Sequence, residues 1–247
     1  KFTVPKITLS DVNARIIQTS MGSSIAKAAT VDTATTPINM TLNLGTIDVS
    51  KIKVDYRSKE MSSKVNLGKF LVEMDKLDLK NQIVGIKNIE LNDTKAGIVF
   101  AKPETVKKAV DKTIKKLDTL VAKPASGKGW RANLAKISFS NDNIVFDNDA
   151  QKPLAKGLDF AHMDIRNLNL AAENIAYNTD TMKGKINEFT FSEKSGLTIK
   201  KFHTEFLYGP KNAYLKDLLV ETPQTVLQKE VQVSYPSIES LIKDMGQ

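Results

Sequence analysis

The chain has 247 residues, no cysteine, two histidines, one tryptophan and a net charge of +8. That length holds one large β-domain or two small ones, and the missing cysteines exclude a disulfide framework and any thiolate metal site. Aromatic residues make up only 6% of the chain, which argues against large aromatic pockets, and no apolar run approaches the roughly 18 residues of a membrane-spanning helix.

The basic balance suits phosphate-bearing partners, either nucleic acid or anionic headgroups, and it equally suits a solvated basic surface. No signal peptide is visible. The first residue is Lys rather than Met, so the chain is expected to be a processed or excised piece of a longer protein.

Residues 1–16 read as strands, with Pro5 breaking Val4 from Ile7. Residues 17–36 are rich in Ser, Thr and Ala and weakly patterned, so they read as a loop with at most one poor strand. Residues 38–56 alternate through Ile38, Met40, Leu42 and Leu44, then Ile47 and Val49. Residues 65–100 give nearly continuous strand signal.

Residues 103–121 break this pattern. Pro103 suits a first helical turn. Val106, Val110, Ile114, Leu117 and Val121 recur at helical spacing, and Lys107, Lys108, Lys112, Lys115 and Lys116 fill the other faces. The stripe fits a membrane-surface helix or a helix packed on a sheet. The absence of Trp and Phe anchors favours the second. Pro124 and the Gly127/Gly129 pair end it.

Residues 130–227 return to strands, beginning at Trp130 and Arg131. Within them Ile186–Phe202 carries the clearest hairpin, with Phe189 and Phe191 before a polar turn and Leu197 and Ile199 after it. Pro236 to Ile242 reads as a helix start capped by Ser237. Residues 158–170 resemble residues 67–79. The chain therefore divides into a first β-rich half (1–101), a helical insertion and linker (102–129) and a second β-rich half of the same groove (130–247).

One template recurs: two apolar residues two apart, four turn-like residues, then two more apolar residues. It fits Ile7–Leu9 with Ala14–Ile16, Ile47–Val49 with Val54–Tyr56, and Leu77–Leu79 with Val84–Ile86. It also fits Ile89–Leu91 with Ala96–Ile98, Ile137–Phe139 with Ile144–Phe146, and Leu168–Leu170 with Ile175–Tyr177. Phe206–Tyr208 with Ala213–Leu215 and Leu218–Val220 with Thr225–Leu227 close the series. Across each gap the apolar phase shifts by an odd number, so a strand cannot run straight through and a turn or bulge is required. Ser10, Ser50, Asn92, Ser140 and Ser192 follow directly after the second apolar residue. The expected fold is mainly β: a long antiparallel meander curled into a groove, with one amphipathic helix inserted near 103–121.

Catalytic chemistry is sparse. His162 and His203 stand far apart, outside any metal-ligand spacing, and His162 reads as a partly exposed strand histidine. Asp142 with Asp147, and Asp159 with Asp164, are candidate carboxylate pairs, though carboxylates are common on the wet face of a sheet. The lysines are dispersed rather than interleaved with aromatic platforms, which argues against nucleic acid. No enzymatic activity, cofactor or metal is expected.

A long sheet with one apolar face must cover it with a second sheet, close into a barrel, or keep it as a groove for apolar ligand. The segment F-x-F-x-E-K-S-G-L-x-I (Phe189 to Ile199) resembles a motif of the AsmA-like proteins, in particular the TamB-like translocation and assembly module proteins of Bacteroidetes-type bacteria. Tyr208 to Thr225 and the unit I-D-V-S-K-I-K-V-D-Y are similar to the same family, and the resemblance runs from about residue 40 onwards.

The resemblance implies an internal segment of a longer, membrane-anchored periplasmic protein. Its β-groove would carry phospholipid between inner and outer membrane, or assist assembly with an outer-membrane barrel of the assembly-module type. The Lys-rich helix departs from a pure β-groove. Alternation assigns Val72, Met74, Leu77, Leu79, Met163, Ile165, Leu168, Leu170, Phe189, Phe191, Leu197 and Ile199 to the groove. The other readings are a scaffold for β-barrel insertion through protein–protein contacts and a surface β-sandwich with a filled core.

Overall fold

The computed structural model describes residues 2–19, 42–100 and 129–236. The helix expected at 103–121, the loop beyond residue 19 and the helix start at Ser237 lie outside these described residues.

The described chain forms strands β1 (Phe2–Ser10), β2 (Asn13–Ile17), β3 (Leu42–Arg57), β4 (Met61–Asp78), β5 (Ile83–Asn92), β6 (Lys95–Phe100) and β7 (Arg131–Asn148). These are followed by β8 (His162–Asn178), β9 (Thr181–Glu193), β10 (Thr198–Ile199), β11 (Lys201–Tyr208), β12 (Asn212–Glu221) and β13 (Val226–Ser234). All belong to one sheet, ordered β1-β3-β4-β5-β7-β8-β9-β11-β12-β13. β2 continues the line of β1 along β3, and β6 continues β5 between β4 and β7. The protein is therefore mainly β, a single large curled sheet with no helix among the described residues.

The expected antiparallel meander curled into a groove holds for most neighbouring strands, and two steps depart from it by running parallel. β1 and β2 run parallel to β3, and β5 and β6 run parallel to β7. A parallel neighbour cannot be reached by a hairpin and needs a long crossover, and residues 20–41 and 101–128 supply the chain for these two connections. Side-chain alternation looks the same in either direction, so it carried no information on this point.

The recurring template takes two structural forms. Phe206–Tyr208 and Ala213–Leu215 are the arms of a hairpin, as are Val220 and Leu227, Leu77 and Val84, and Phe191 and Ile199. The other copies are not hairpins. Ile47–Val49 and Val54–Tyr56 lie in one unbroken strand, β3, and Ile137–Phe139 and Ile144–Phe146 lie in β7. Here the phase shift is a kink, at which one residue takes the left-handed conformation: Asp11 (φ 57°), Lys51 (54°), Asp93 (54°), Asn141 (57°) and Asn174 (55°), with Asn167 (51°) making a further such kink earlier in β8. Asn and Asp visit this region more readily than other residues with a side chain, because their short polar groups bond locally.

Register aligns these residues across the strands. Ser10 pairs Ser50, Ser50 pairs Lys69, Lys69 pairs Asn92, and Asn92 pairs Ser140. The left-handed residue is the next one along in β3, β5 and β7, so the kinks form a line crossing the sheet. At the kink in β7 two successive residues, Ser140 and Asn141, face outward. Two outward positions in a row need the longer outer arc of a bend, so the opposite face is concave. A second line of irregularity crosses at Asp75 on β4, Asn174 on β8 and Asp217 on β12.

Candidate functional site

Because the phase shifts at each kink, apolar residues stay on the concave face along the whole of every long strand. One row runs Leu9, Val49, Phe70, Leu91, Phe139, Leu170, Phe189 across seven neighbouring strands. A second runs Ile7, Ile47, Val72, Ile89, Ile137, Ala172, Ile186. Beyond the first kink line a third runs Ala14, Val54, Val65, Ala96, Ile144, Ile165.

Most of the residues assigned to the groove from sequence share this face. Val72, Met74 and Leu77 line it on β4, where the bulge at Asp75 absorbs the phase shift. Met163, Ile165, Leu168 and Leu170 line it on β8 on either side of Asn167. Phe189 and Phe191 stand next to one another with ring centroids 5.2 Å apart, Phe202 meets Phe189 edge-on at 6.0 Å, and Ile199 pairs Phe191. Leu79 lies in the turn after β4. Leu197 lies just before β10, and its carbonyl accepts the Glu193 N–H at 2.8 Å.

The face is not covered by a second sheet among the described residues. A sandwich buries its inner rows completely. Here the buried hydrophobic residues among the described residues are Ile52, Val72, Leu168, Ala172, Leu218 and Tyr235, and most of the remaining apolar face is half-buried.

Three polar groups interrupt it. Asp142 is fully buried between Thr94 and Leu168, and its Oδ1 accepts the Thr94 N–H at 2.8 Å. The left-handed turn at Asp93 breaks the ladder there, and the carboxylate satisfies the amide that the break exposes. Burial pushes the Asp142 carboxyl above the usual aspartate range, against the Thr94 hydrogen bond and with help from the charge of Asp93. Glu193 ends the third row and takes the N–H groups of Asp164 and Ser195. Its carboxyl lies below the usual glutamate range, because the hydrogen bonds from residues 194 and 195 and from Asp164 together outweigh desolvation, the largest single influence. Thr204 donates to the carbonyls of Lys216 and Glu205 at a bulge.

The template requires a break in the gaps that hold Asp11, Asp93 and Asn141, but it does not reveal the network that holds the kink line. Asn141 N–H donates to Asn169 Oδ1 (3.0 Å), Asn167 N–H donates to Asn143 Oδ1 (3.2 Å), and Asn169 Nδ2 donates to Thr190 Oγ1 (3.1 Å). The signal available was the clustering of Asn at these breaks.

The candidate carboxylate pairs do other work. Asp164 is bound by Arg166, which holds its carboxyl below the usual range. His162 is corrected from partly exposed to buried, at 5% exposure, because two carboxylates enclose it. Its Nδ1 lies 3.0 Å from Asp159 Oδ2 and its Nε2 3.5 Å from Asp147 Oδ1. Asp159 also accepts the N–H groups of Leu154 and Ala161, so the cluster ties down the connection between β7 and β8. Among the described residues no group of three or more His, Asp or Glu is placed to hold a metal.

The convex face is polar and laced with ion pairs such as Lys69–Glu90 at 2.8 Å and Lys6–Asp48 at 3.0 Å. A hollow of about 740 Å³ opens around Gly97, lined by Lys53, Lys64, Lys95 and Asn66 together with Val54, Val65 and Ala96. No protein-family model matches the chain, and no curated protein matches it.

Proposed function

We propose that the chain is a non-catalytic trough that holds phospholipid acyl chains, serving lipid transport between the inner and outer membranes in the cell envelope. The observation that carries this reading is the extended apolar face. Three rows of aliphatic and aromatic side chains cross six or seven strands, and no second sheet among the described residues covers them.

Apolar surface of this extent costs free energy when it is left in water, roughly 25 cal/mol for each Å². Acyl chains would remove it from water without any directional bond. Headgroups would lie at the rim, and the chain's overall excess of lysine and arginine, 36 against 28 acidic residues, favours phosphate. The likeness of Phe189–Ile199 to the TamB-like family points the same way.

Native mass spectrometry with lipid extraction tests the reading. Stoichiometric phospholipid on the purified chain supports it. A folded, lipid-free protein that takes up no phospholipid from vesicles removes it.

A second reading, a scaffold for β-barrel assembly, draws on the edge strand β13. Every residue of β13 is exposed, and among the described residues it has a neighbour on one side only. Such an edge suits addition of a further strand. Pull-down of an outer-membrane barrel without lipid would favour it.

A further inference from the structure

We propose that the hollow around Gly97 is a binding site for a phosphate group, on the face of the sheet opposite the trough. The proposal stands on register, space and charge, and it does not rest on the lipid reading.

Register brings the residues together. Lys53, Asn66, Lys95 and Asn143 pair in turn across β3, β4, β6 and β7. One step further along, Asp55, Lys64, Gly97, Val145 and Asp164 pair in the same way and reach β8. Positions two apart in a strand share a face, so both rows lie on one side of the sheet. The intervening Val54, Val65, Ala96 and Ile144 carry their side chains to the apolar side.

Glycine makes the space. Gly97 stands between Lys64 and Val145 in its row. A Cβ there would meet only Val145 Cβ at 3.8 Å and the Lys64 carbonyl oxygen at 4.0 Å. The missing side chain leaves a floor of backbone, and the hollow above it measures about 740 Å³. Small-molecule sites commonly span about 300–1,000 Å³. A phosphate fits together with the glycerol- or sugar-sized body that bears it. Val145, 38% exposed, offers that body an apolar patch.

Charge selects the phosphate. Lys53, Lys64, Lys95 and Arg166 line the hollow, with Asp55 and Asp164. Both carboxylates are already engaged: Arg57 donates two hydrogen bonds of 3.0 Å to Asp55, and Arg166 is paired with Asp164. Elsewhere on this face lysines have acidic partners, as Lys69 has Glu90 and Lys6 has Asp48. Lys53, Lys64 and Lys95 form no ion pair among the described residues. Ammonium groups around one hollow repel one another until an anion lies between them. A phosphate monoester carries close to two negative charges and three acceptor oxygens. Lysine meets such oxygens as a point charge on a flexible stem, so each of the three can turn towards one of them. Asn66 and Asn143 add amide donors at the wall.

A soluble phosphate ester and a lipid headgroup share this chemistry, and the experiment separates them. Inorganic pyrophosphate is titrated calorimetrically into the chain at low ionic strength, where surface charges are least screened. Saturable binding at a single site is expected. Gly97→Val fills the hollow without changing the net charge and suits a strand, so it should weaken binding about tenfold in a chain whose circular dichroism matches the parent. Gly97→Ala, which adds one methyl in ordinary contact distance, should weaken it in the same direction and serves if valine disturbs the sheet. Lys64→Gln and Lys95→Gln should each weaken binding about threefold. Lys211→Gln makes the same charge change in the turn between β11 and β12 and should leave binding unchanged.

No saturable binding, equal weakening by Lys211→Gln and Lys64→Gln, or parental affinity in the folded glycine variants would overturn the proposal. Glycerol 3-phosphate and phosphatidylglycerol vesicles are then offered as competitors. Displacement of pyrophosphate by glycerol 3-phosphate assigns the site to a soluble ester, and displacement by the vesicles alone assigns it to a headgroup. Displacement by neither would count against a phosphate site.

Discussion

Asn141 and Asp93 stand side by side on two parallel strands, both in the left-handed conformation, and Asn141 Nδ2 donates to Asp93 Oδ1 at 2.7 Å. The pair sits where two strands bend together. The bend turns a flat ribbon into a trough, so these polar residues on the outside decide the shape of the apolar surface inside.

Lys51 occupies the same line on β3 with no short polar side chain to ease its φ of 54°. A left-handed conformation costs a residue such as Lys roughly 1–2 kcal/mol. Lys51→Gly should stabilise the chain by about 0.5–1 kcal/mol once the entropy of glycine is deducted. Lys51→Val should destabilise it by a similar amount or more. Urea denaturation checks both, and a stabilising valine would contradict the account.

Gly68 falls opposite Lys51 on β4 and beside Asp93. A Cβ there would stand 2.6 Å from the Asn92 carbonyl oxygen and 2.9 Å from Asp93 Cβ. Backbone cannot yield as a flexible side chain can, so Gly68→Ala is expected to cost about 2 kcal/mol or more. A thermal midpoint equal to that of the parent would show that the kink line tolerates a side chain.

Burial raises the Asp142 carboxyl, so the folded chain holds this proton at a pH where the unfolded chain has released it. Stability from this group is therefore highest in acid and falls as pH rises from the ordinary aspartate value through the raised one, after which it is flat. Asp142→Asn keeps an oxygen for the Thr94 N–H and carries no charge, so its stability relative to the parent should climb across that window. Parallel stability curves would refute this. Asp142→Leu removes the acceptor and should cost about 1–3 kcal/mol in acid, where the parent carboxyl is protonated, and less above the window.

Asp159 behaves in the opposite sense. The Leu154 N–H is the chief influence, with Ala161 N–H and His162 adding to it, and together they hold the Asp159 carboxyl below the usual range. The hold on the 149–161 connection is present above the ordinary aspartate value and is lost as pH falls through the lowered one. The Leu154 and Ala161 amide resonances should titrate together in that acid range, and Asp159→Asn should abolish the inflection.

Met163 and Leu170 lie on the apolar face and are half-buried. A charge at Met163 can still reach water, so Met163→Glu should leave the sheet folded with a midpoint within a few degrees of the parent. Phospholipid carried by the chain should be lost. Retained lipid in a folded Met163→Glu protein would remove Met163 from the trough.

Much of this architecture is legible in the sequence. Alternation identified the strands, and the odd phase shift identified where each had to break. Met74 to Leu77 and Ile165 to Leu168 kept to one face through such shifts. A kink and a hairpin obey the same local pattern, however, and what separates them is the distant strand each arm pairs with. A partial clue existed: Gly209-Pro210, Pro223 and Gly196 mark hairpins, whereas Asp11, Asp93 and Asn141 alone mark kinks. Parallel pairing was hidden for the same reason, since direction is set by where long connections return. The burial of His162 depends on Asp147 and Asp159 arriving from either side, which strand periodicity cannot foresee.

The single layer has a thermodynamic consequence. Each long strand touches only its neighbours, so the free energy of the sheet is close to a sum of nearest-neighbour terms rather than the property of one shared interior. β13 is exposed at every position and, among the described residues, is held on one side only. Unfolding should then proceed as erosion from the margins. The central strands from β4 to β8 would persist after the outer ones have detached, and the melting transition would be broad rather than all-or-none.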